Sequence, residues 1–199
     1  MGKIFCVMGK SSSGKDTIYK KLKDIYKDYL PITMYTTRPI RSGEVEGVEY
    51  HFVSTERFDE MNANKKVIEY RTYDTVHGPW TYFTADDGQV DLEKNNYLVI
   101  GTLKSYDSIR KYYGSEKVVG IYIEVDDGLR LQRALNREMQ QENPKYEEMC
   151  RRFLADQEDF SEKNLQECKI EKRFQNIDIN NCVEEIKSFI DKESISVKF

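Results

Sequence analysis

Ile4-Phe5-Cys6-Val7-Met8-Gly9-Lys10-Ser11-Ser12-Ser13-Gly14-Lys15-Asp16-Thr17 joins a short apolar run to a serine turn framed by glycines, and Ile18, Leu22, Ile25 and Tyr29 then follow at helical spacing within Thr17 to Tyr29. An apolar run of this length suits a buried strand, and the turn fits G-x-x-x-x-G-K placed between that strand and a helix. This is the setting of a phosphate-binding loop. Backbone N–H groups from Gly9 through Ser11, Ser12, Ser13 and Gly14 can wrap a β-phosphate, the helix N-terminus adds partial positive charge, and Lys15 can reach the β- and γ-phosphates. The plainer alternative is a Ser/Gly turn before a helix that happens to hold a lysine, and the strand and helix context speaks against it. The pattern expects a hydroxyl residue directly after the lysine, but Asp16 stands there and Thr17 comes one place later. Asp16 either holds Mg²⁺, directly or through water, or is an acidic residue of the first helical turn favoured by the dipole.

Outward from this loop the chain alternates. Ile32 to Thr36 reads as extended, Arg38 to Glu46 as an exposed polar loop, and Val48, Tyr50 and Phe52 as strand-like alternation. A short helix around Phe58 and Met61 precedes extended pieces near Val67 to Tyr73 and Trp80 to Thr84, separated by His77-Gly78-Pro79. Tyr97 to Ile100 reads as strand, Ser105 to Tyr112 as helix, Val118 to Val125 as strand and Gly128 to Met139 as helix. After Asn143-Pro144 a long charged helix is expected over Lys145 to Lys163, then a weak strand at Ile170 to Phe174 and an amphipathic helix at Val183 to Ile190. The expected class is α/β, a P-loop NTPase-type parallel sheet with helices on both faces and a small β-rich insert.

The 199 residues fit one domain rather than two. Charged residues make up 33% and mean hydropathy is −0.72, so the chain folds beneath an extensively charged surface. Thirty-one Lys and Arg against 35 Asp and Glu give a net charge of −4, which argues against a nucleic-acid or membrane binder held by broad phosphate neutralisation. Any anion site must therefore be local. No apolar run approaches the ~20 residues needed to cross a bilayer, and no signal-peptide core is present, which points to the cytoplasm. Cys6, Cys150, Cys168 and Cys182 form no CxxC pair and read as thiols in a reducing compartment.

Thr36-Thr37-Arg38-Pro39-Ile40-Arg41-Ser42-Gly43-Glu44, followed by Gly47 and Tyr50-His51-Phe52, resembles the guanylate kinases, whose T-T-R-x-x-R-x-G-E and G-x-x-Y-x-F segments are distinctive. The resemblance spans nearly the whole chain and implies a core (1–32, 92–127, 164–199), a nucleoside monophosphate-binding insert (33–91) and a helical lid (128–163). It implies that ATP phosphorylates GMP and dGMP with Mg²⁺, that nucleotides rather than nucleic acids or membranes are the partners, and it leaves a homo-oligomer open. Arg38, Arg41, Tyr50 and Tyr82 would hold the α-phosphate of GMP, two arginines in one loop being able to converge on a phosphate. Glu69 would accept from N1–H and the exocyclic amine of guanine, and Thr84 would lie near O6. Arg137 and Arg152, with Arg133 and Arg151 beside them, would bring positive charge from the lid, and Asn176 would lie near the adenine of ATP.

The chain departs from the family at the end of the strand Tyr97 to Thr102. There the usual Asp-x-Asp is replaced by Ile100 and Thr102, Phe83 replaces a glycine, and the stretch from Glu69 to Tyr82 is longer than usual. One expectation drawn from this is that the lost carboxylate has been relocated to Asp16. The competing readings are a kinase with a different acceptor, or a non-catalytic module that binds a phosphopeptide through Arg38 and Arg41.

Overall fold

The computed structural model describes residues 1–75 and 78–195. In chain order its elements are β1 (Ile4–Met8), α1 (Lys15–Ile25), β2 (Leu30–Pro31), β3 (Tyr35–Thr36), β4 (His51–Phe52), α2 (Thr55–Ala63), β5 (Val67–Thr75), β6 (Gly78–Ala85), β7 (Tyr97–Gly101), α3 (Leu103–Tyr113), β8 (Val118–Glu124), α4 (Asp127–Met139), α5 (Tyr146–Asp159), α6 (Glu162–Glu167), β9 (Arg173–Gln175) and α7 (Ile179–Ile195).

β1 lies at the centre of a parallel sheet of order β2-β7-β1-β8-β9, and every residue of it is buried. A strand covered on both faces has no polar side to show, which is why its sequence is continuously apolar. Its alternate residues face different helices. Ile4, Cys6 and Met8 pack with Leu103, Tyr106 and Ile109 of α3 and Leu165 of α6, while Phe5 and Val7 pack with Ile18 and Leu22 of α1 and Ile186 and Ile190 of α7. Helices therefore cover both faces, as the alternating pattern predicts. Among the described residues no helix is long and apolar enough to cross a membrane.

A second sheet, β4-β3-β6-β5, packs its own small cluster of Phe58, Met61, Phe83 and Ala85 beneath α2. Phe83 sits at the centre of this cluster, stacked on Tyr35 at 5.0 Å and tilted against Phe58 at 5.0 Å.

Four local expectations change. The helix expected to reach Tyr29 stops at Ile25, and Tyr29 instead stacks on Tyr26 and Phe5, keeping an apolar role outside the helix. Of the extended run Ile32 to Thr36 only Tyr35–Thr36 is strand, in the second sheet, and the edge strand of the core sheet, Leu30–Pro31, comes just before the run. The elongated stretch between Glu69 and Tyr82 carries more strand than the extended pieces Val67 to Tyr73 and Trp80 to Thr84: β5 and β6 pair antiparallel from Glu69↔Thr84 through Arg71↔Tyr82 to Thr75↔Gly78. Of its expected separator, His77 lies outside the described residues, and Pro79 belongs to β6. Finally, the single charged helix is two. Phe160 is buried and stacks on Tyr122 at 5.5 Å, and Ser161 then caps α6 by accepting from the Asn164 N–H.

Candidate active site

The phosphate loop leaves β1 and enters α1 through Gly14, which has φ 85°. A side chain there would be strained by that φ, and its Cβ would also lie 2.4 Å from the Asn176 amide. A Cβ on Gly9 would meet the Ile123 carbonyl oxygen at 2.6 Å. Crowding therefore calls for glycine at both positions, and backbone conformation at Gly14 as well. Asn176 is buried beneath the loop and donates to the Ser13 carbonyl at 2.7 Å, while its own carbonyl accepts from Arg133 at 3.2 Å. Asn176, which the resemblance implies lies near the adenine of ATP, thus has its side-chain amide against the loop backbone. Lys15 lies 3.3 Å from the exposed carboxylate of Asp16, and Thr17 is exposed on the first turn of α1. One carboxylate beside a phosphate loop fits Mg²⁺, which usually takes one or two carboxylates and completes its shell with phosphate oxygens and water. Among the described residues no group of three His, Cys, Asp or Glu could hold a metal by itself.

Arg38, Tyr50 and Tyr82 come together. The Arg38 guanidinium stacks 5.2 Å from the Tyr50 ring, and the Tyr50 and Tyr82 rings meet edge to face at 5.6 Å. Burial, with Tyr82 beside it, raises the Tyr50 phenol, so it remains a neutral donor. Arg38 itself is buried and forms a two-armed pair with Glu44, at 2.7 and 2.5 Å. The same carboxylate accepts from the Arg41 backbone N–H at 2.8 Å, and the Arg41 side chain is exposed. Glu44 thus engages Arg38 through its side chain and Arg41 only through its backbone. Arg41 lines a cavity of about 510 Å³ together with Ser11, Ser12, Arg137 and Arg152.

Glu44 also carries a pH prediction. Its carboxyl is held down to about 2 from an ordinary 4.5, first by the hydrogen bonds from Arg38 and then by the Arg41 N–H. A depressed carboxylate stabilises the fold above its unfolded value, and that contribution is lost as pH falls through the folded one. Glu44→Gln is thus expected to unfold more easily than the wild type at pH 7, with the difference shrinking as pH falls from about 4.5 toward 2. Urea unfolding midpoints at a series of pH values measure it, and a difference that does not change with pH would rule it out.

Glu69 is buried on β5, opposite Thr84 of β6. Thr84 donates its hydroxyl proton to Glu69 Oε1 at 3.0 Å, so the hydroxyl expected near O6 is committed to the carboxylate. Arg71, two residues along the same strand face, lies 3.5 Å from Glu69 Oε2 through its Nε and donates from Nη1 to Thr102 Oγ1 at 2.7 Å. Thr102 caps α3 in a reciprocal arrangement with Ser105. Glu69, Arg71 and Thr102 line a cavity of about 940 Å³ between the second sheet, α3 and the end of α5.

The lid reaches the phosphate loop from above. Arg137 donates to Ser12 Oγ at 3.2 Å and Arg152 to Ser11 Oγ at 3.3 Å. Arg133, on the same face of α4 as Arg137, is occupied with the Asn176 carbonyl, and Arg151 points away into a two-armed pair with Glu148. Arg130, also on α4, is fully buried and belongs to none of the motifs. It donates to the Ser11 carbonyl at 3.1 Å and to Asp156 at 3.2 Å, pairs with Asp127, and lies 4.2 Å from the Phe153 ring. Asp156 in turn accepts the Ser11 N–H at 2.7 Å. The one sequence signal for this arginine is the i,i+3 spacing from Asp127.

A family model described as guanylate kinase matches residues 1–193. Among curated relatives, the guanylate kinase of Neisseria gonorrhoeae is 33% identical over 122 residues, covering 61% of this chain and 58% of the relative. That of Schizosaccharomyces pombe is 38% identical over 68 residues, 34% of each chain. The chain thus aligns with less than two thirds of the length of these relatives. Among solved structures, a guanylate kinase from Anaplasma phagocytophilum matches with a TM-score of 0.63 at 23% identity, over 97% of this chain and 86% of that one.

Proposed function

This chain belongs to the guanylate kinase family, and from that premise we propose that it transfers the γ-phosphoryl group of ATP to GMP, and to dGMP, giving ADP and the nucleoside diphosphate. The observation that carries the choice of acceptor is the buried Glu69 carboxylate on the wall of the 940 Å³ cavity, one oxygen accepting from Thr84 and the other without a hydrogen-bond partner. That oxygen suits the N1–H of guanine. Adenine has an acceptor at N1 and would leave that buried acceptor without a hydrogen bond.

In this reading the phosphates of ATP lie in the loop from Gly9 to Lys15. Arg38, with Tyr50 and Tyr82 beside it, takes the α-phosphate of GMP, and Glu44 holds the Arg38 fork in place. Arg41, Arg137 and Arg152 face one another across the smaller cavity beside Ser11 and Ser12, where the phosphoryl group passes in line from donor to acceptor. A phosphate oxygen of GMP is already a nucleophile, so the chain needs no general base. Its task is positioning and charge neutralisation. Asp16 would hold Mg²⁺, which when bound spreads the negative charge of the phosphates. The insert (33–91) and lid (128–163) close over the core to exclude water, in the cytoplasm where both nucleotides are dissolved.

A panel of nucleoside monophosphates in a coupled ADP assay tests the reading. GMP should exceed AMP in kcat/KM by on the order of 10⁴-fold, the discrimination available to a site built around a buried hydrogen-bonding group. Preference for any base other than guanine would overturn it, and absence of turnover with ATP binding lost would favour a binding module. In the same assay the Mg²⁺ concentration that supports turnover should rise for Asp16→Ala, and an unchanged dependence would remove the metal role.

A further inference from the structure

The acceptor cavity contains an arginine that neither the motif nor the reaction just described uses. Arg71 sits two residues beyond Glu69 on the same face of β5, and its side chain is 15% exposed where that of Glu69 is 3%. Two polar atoms in this corner are buried and lack a hydrogen-bond partner: Oε2 of Glu69, an acceptor, and Nε of Arg71, a donor. They stand 3.5 Å apart without forming a hydrogen bond to each other. Buried polar atoms left open in this way are uncommon and call for an explanation. Both line the same cavity, so a ligand entering it meets an acceptor and a donor side by side.

A neighbouring donor and acceptor is the complement of a lactam. The six-membered ring of guanine presents the acceptor O6 directly beside the donor N1–H. Thr84, the hydroxyl expected to serve O6, has committed its proton to Glu69 Oε1. Resting on the proposal that GMP is the acceptor, we propose that Arg71 is the group that reads O6, and that Arg71 and Glu69 together clamp the lactam edge of the base. The missing strand-end acids fit this assignment. Thr102, which stands where one of them would be, is neutral and accepts from Arg71 Nη1 at 2.7 Å. It orients the guanidinium without neutralising it, whereas a carboxylate there would pair with the arginine and compete with the base for its donors. Arg71 is a specificity residue touching the base, remote from the transferring phosphoryl group.

The test pairs one side chain with one substrate atom. GMP and 6-thio-GMP differ only at position 6, where sulfur is a weak acceptor and N1–H and the 2-amino group are retained. The wild type should prefer GMP by about tenfold or more in kcat/KM, as loss of a hydrogen bond to a charged donor implies. Arg71→Met should lower kcat/KM for GMP by about 10- to 100-fold, mainly through KM, and leave 6-thio-GMP within about threefold, so that the preference collapses. Arg71→Lys should restore part of it. If Arg71 served only to stabilise the fold or to balance Glu69, both substrates would suffer equally in Arg71→Met and the preference would persist, which overturns the clamp. Thermal unfolding shows whether the variants fold; should neither do so, the wild-type comparison decides, since equal use of the two substrates overturns the proposal and a tenfold preference upholds it. A wild type that turns over no GMP overturns the acceptor assignment and the clamp together, whereas turnover with an unaltered preference in Arg71→Met overturns the clamp alone.

Discussion

Lys15→Ala is expected to lower kcat about 10³-fold while the KM for GMP moves by no more than about threefold. The expectation rests on where the ammonium group stands. Lys15 is the first residue of α1, directly after the left-handed Gly14, and its partner at 3.3 Å is Asp16, whose side chain is mostly exposed. A lysine held by so exposed an anion is free to swing onto a phosphate that develops charge during transfer. Removing it takes away an interaction that strengthens in the transition state, which appears in kcat rather than in ground-state binding. GMP is held elsewhere, by Arg38 and the Glu69 pocket, so its KM is insulated. The coupled ADP assay reads both constants, and thermal unfolding of the variant should match the wild type because the side chain is not part of the core. A kcat within tenfold of wild type would remove Lys15 from the chemistry.

The second large effect is expected from Arg130→Ala, and it falls on stability as well as rate. Arg130 has no exposed surface, and its guanidinium joins three separate pieces of chain: Asp127 on its own helix, Asp156 on α5, and the Ser11 carbonyl of the phosphate loop. Deleting one member of a buried ion pair leaves the other uncompensated, at a cost of about 3–5 kcal/mol when both are deeply buried. Asp127 is 42% exposed and Asp156 17%, so water takes up part of the loss, and a value near the lower bound, about 3 kcal/mol, is expected. In a chain of this size that lowers Tm by roughly 6–12 °C. The rate should fall too, because Arg137 and Arg152 are carried on the two helices that Arg130 ties to the loop. Urea unfolding and kcat measured on the same preparation test both parts. An unchanged unfolding midpoint would show that the buried fork is dispensable.

These two arginine and lysine sites also show how far the sequence could be read. Lys15 was legible because its meaning is local: strand, turn and helix are adjacent in the chain, and the glycines mark the turn. The central strands were legible because a strand covered on both faces must be apolar throughout, as β1 is. Arg130 was not legible, because in sequence it is one more charge in a polar helix and its partner Asp156 lies 26 residues away. Arg71 was hidden similarly, its neighbour Thr102 being brought near only when β5 packs beside α3. The hairpin of β5 and β6 is legible as two extended pieces flanking Gly78-Pro79, but the pairing runs further than these, to Thr75 and Gly78, so the added length between Glu69 and Tyr82 goes into paired strand. Arg38 and Arg41 were expected to share a phosphate because of their spacing. Glu44 takes the Arg38 fork with its carboxylate but meets Arg41 only at the backbone N–H, and the Arg41 side chain lines the cavity beside Ser11 and Ser12.

The break at Phe160 has a mechanical consequence. Two residues separate the end of β8 from the start of α4, the second of them, Asp126, capping the helix, and at the far end of α5 Phe160 stacks on Tyr122, which belongs to β8 as well. Both ends of the lid are therefore stitched to one strand, and that strand is registered against the first, Tyr122 beside Met8, one residue before the phosphate loop starts. The lid resembles a handle riveted at two points on the plank next to the loop. Lengthening or trimming the handle leaves its rivets where they are, so the helices between can vary in length and sequence while the anchorage beside the nucleotide stays unaltered.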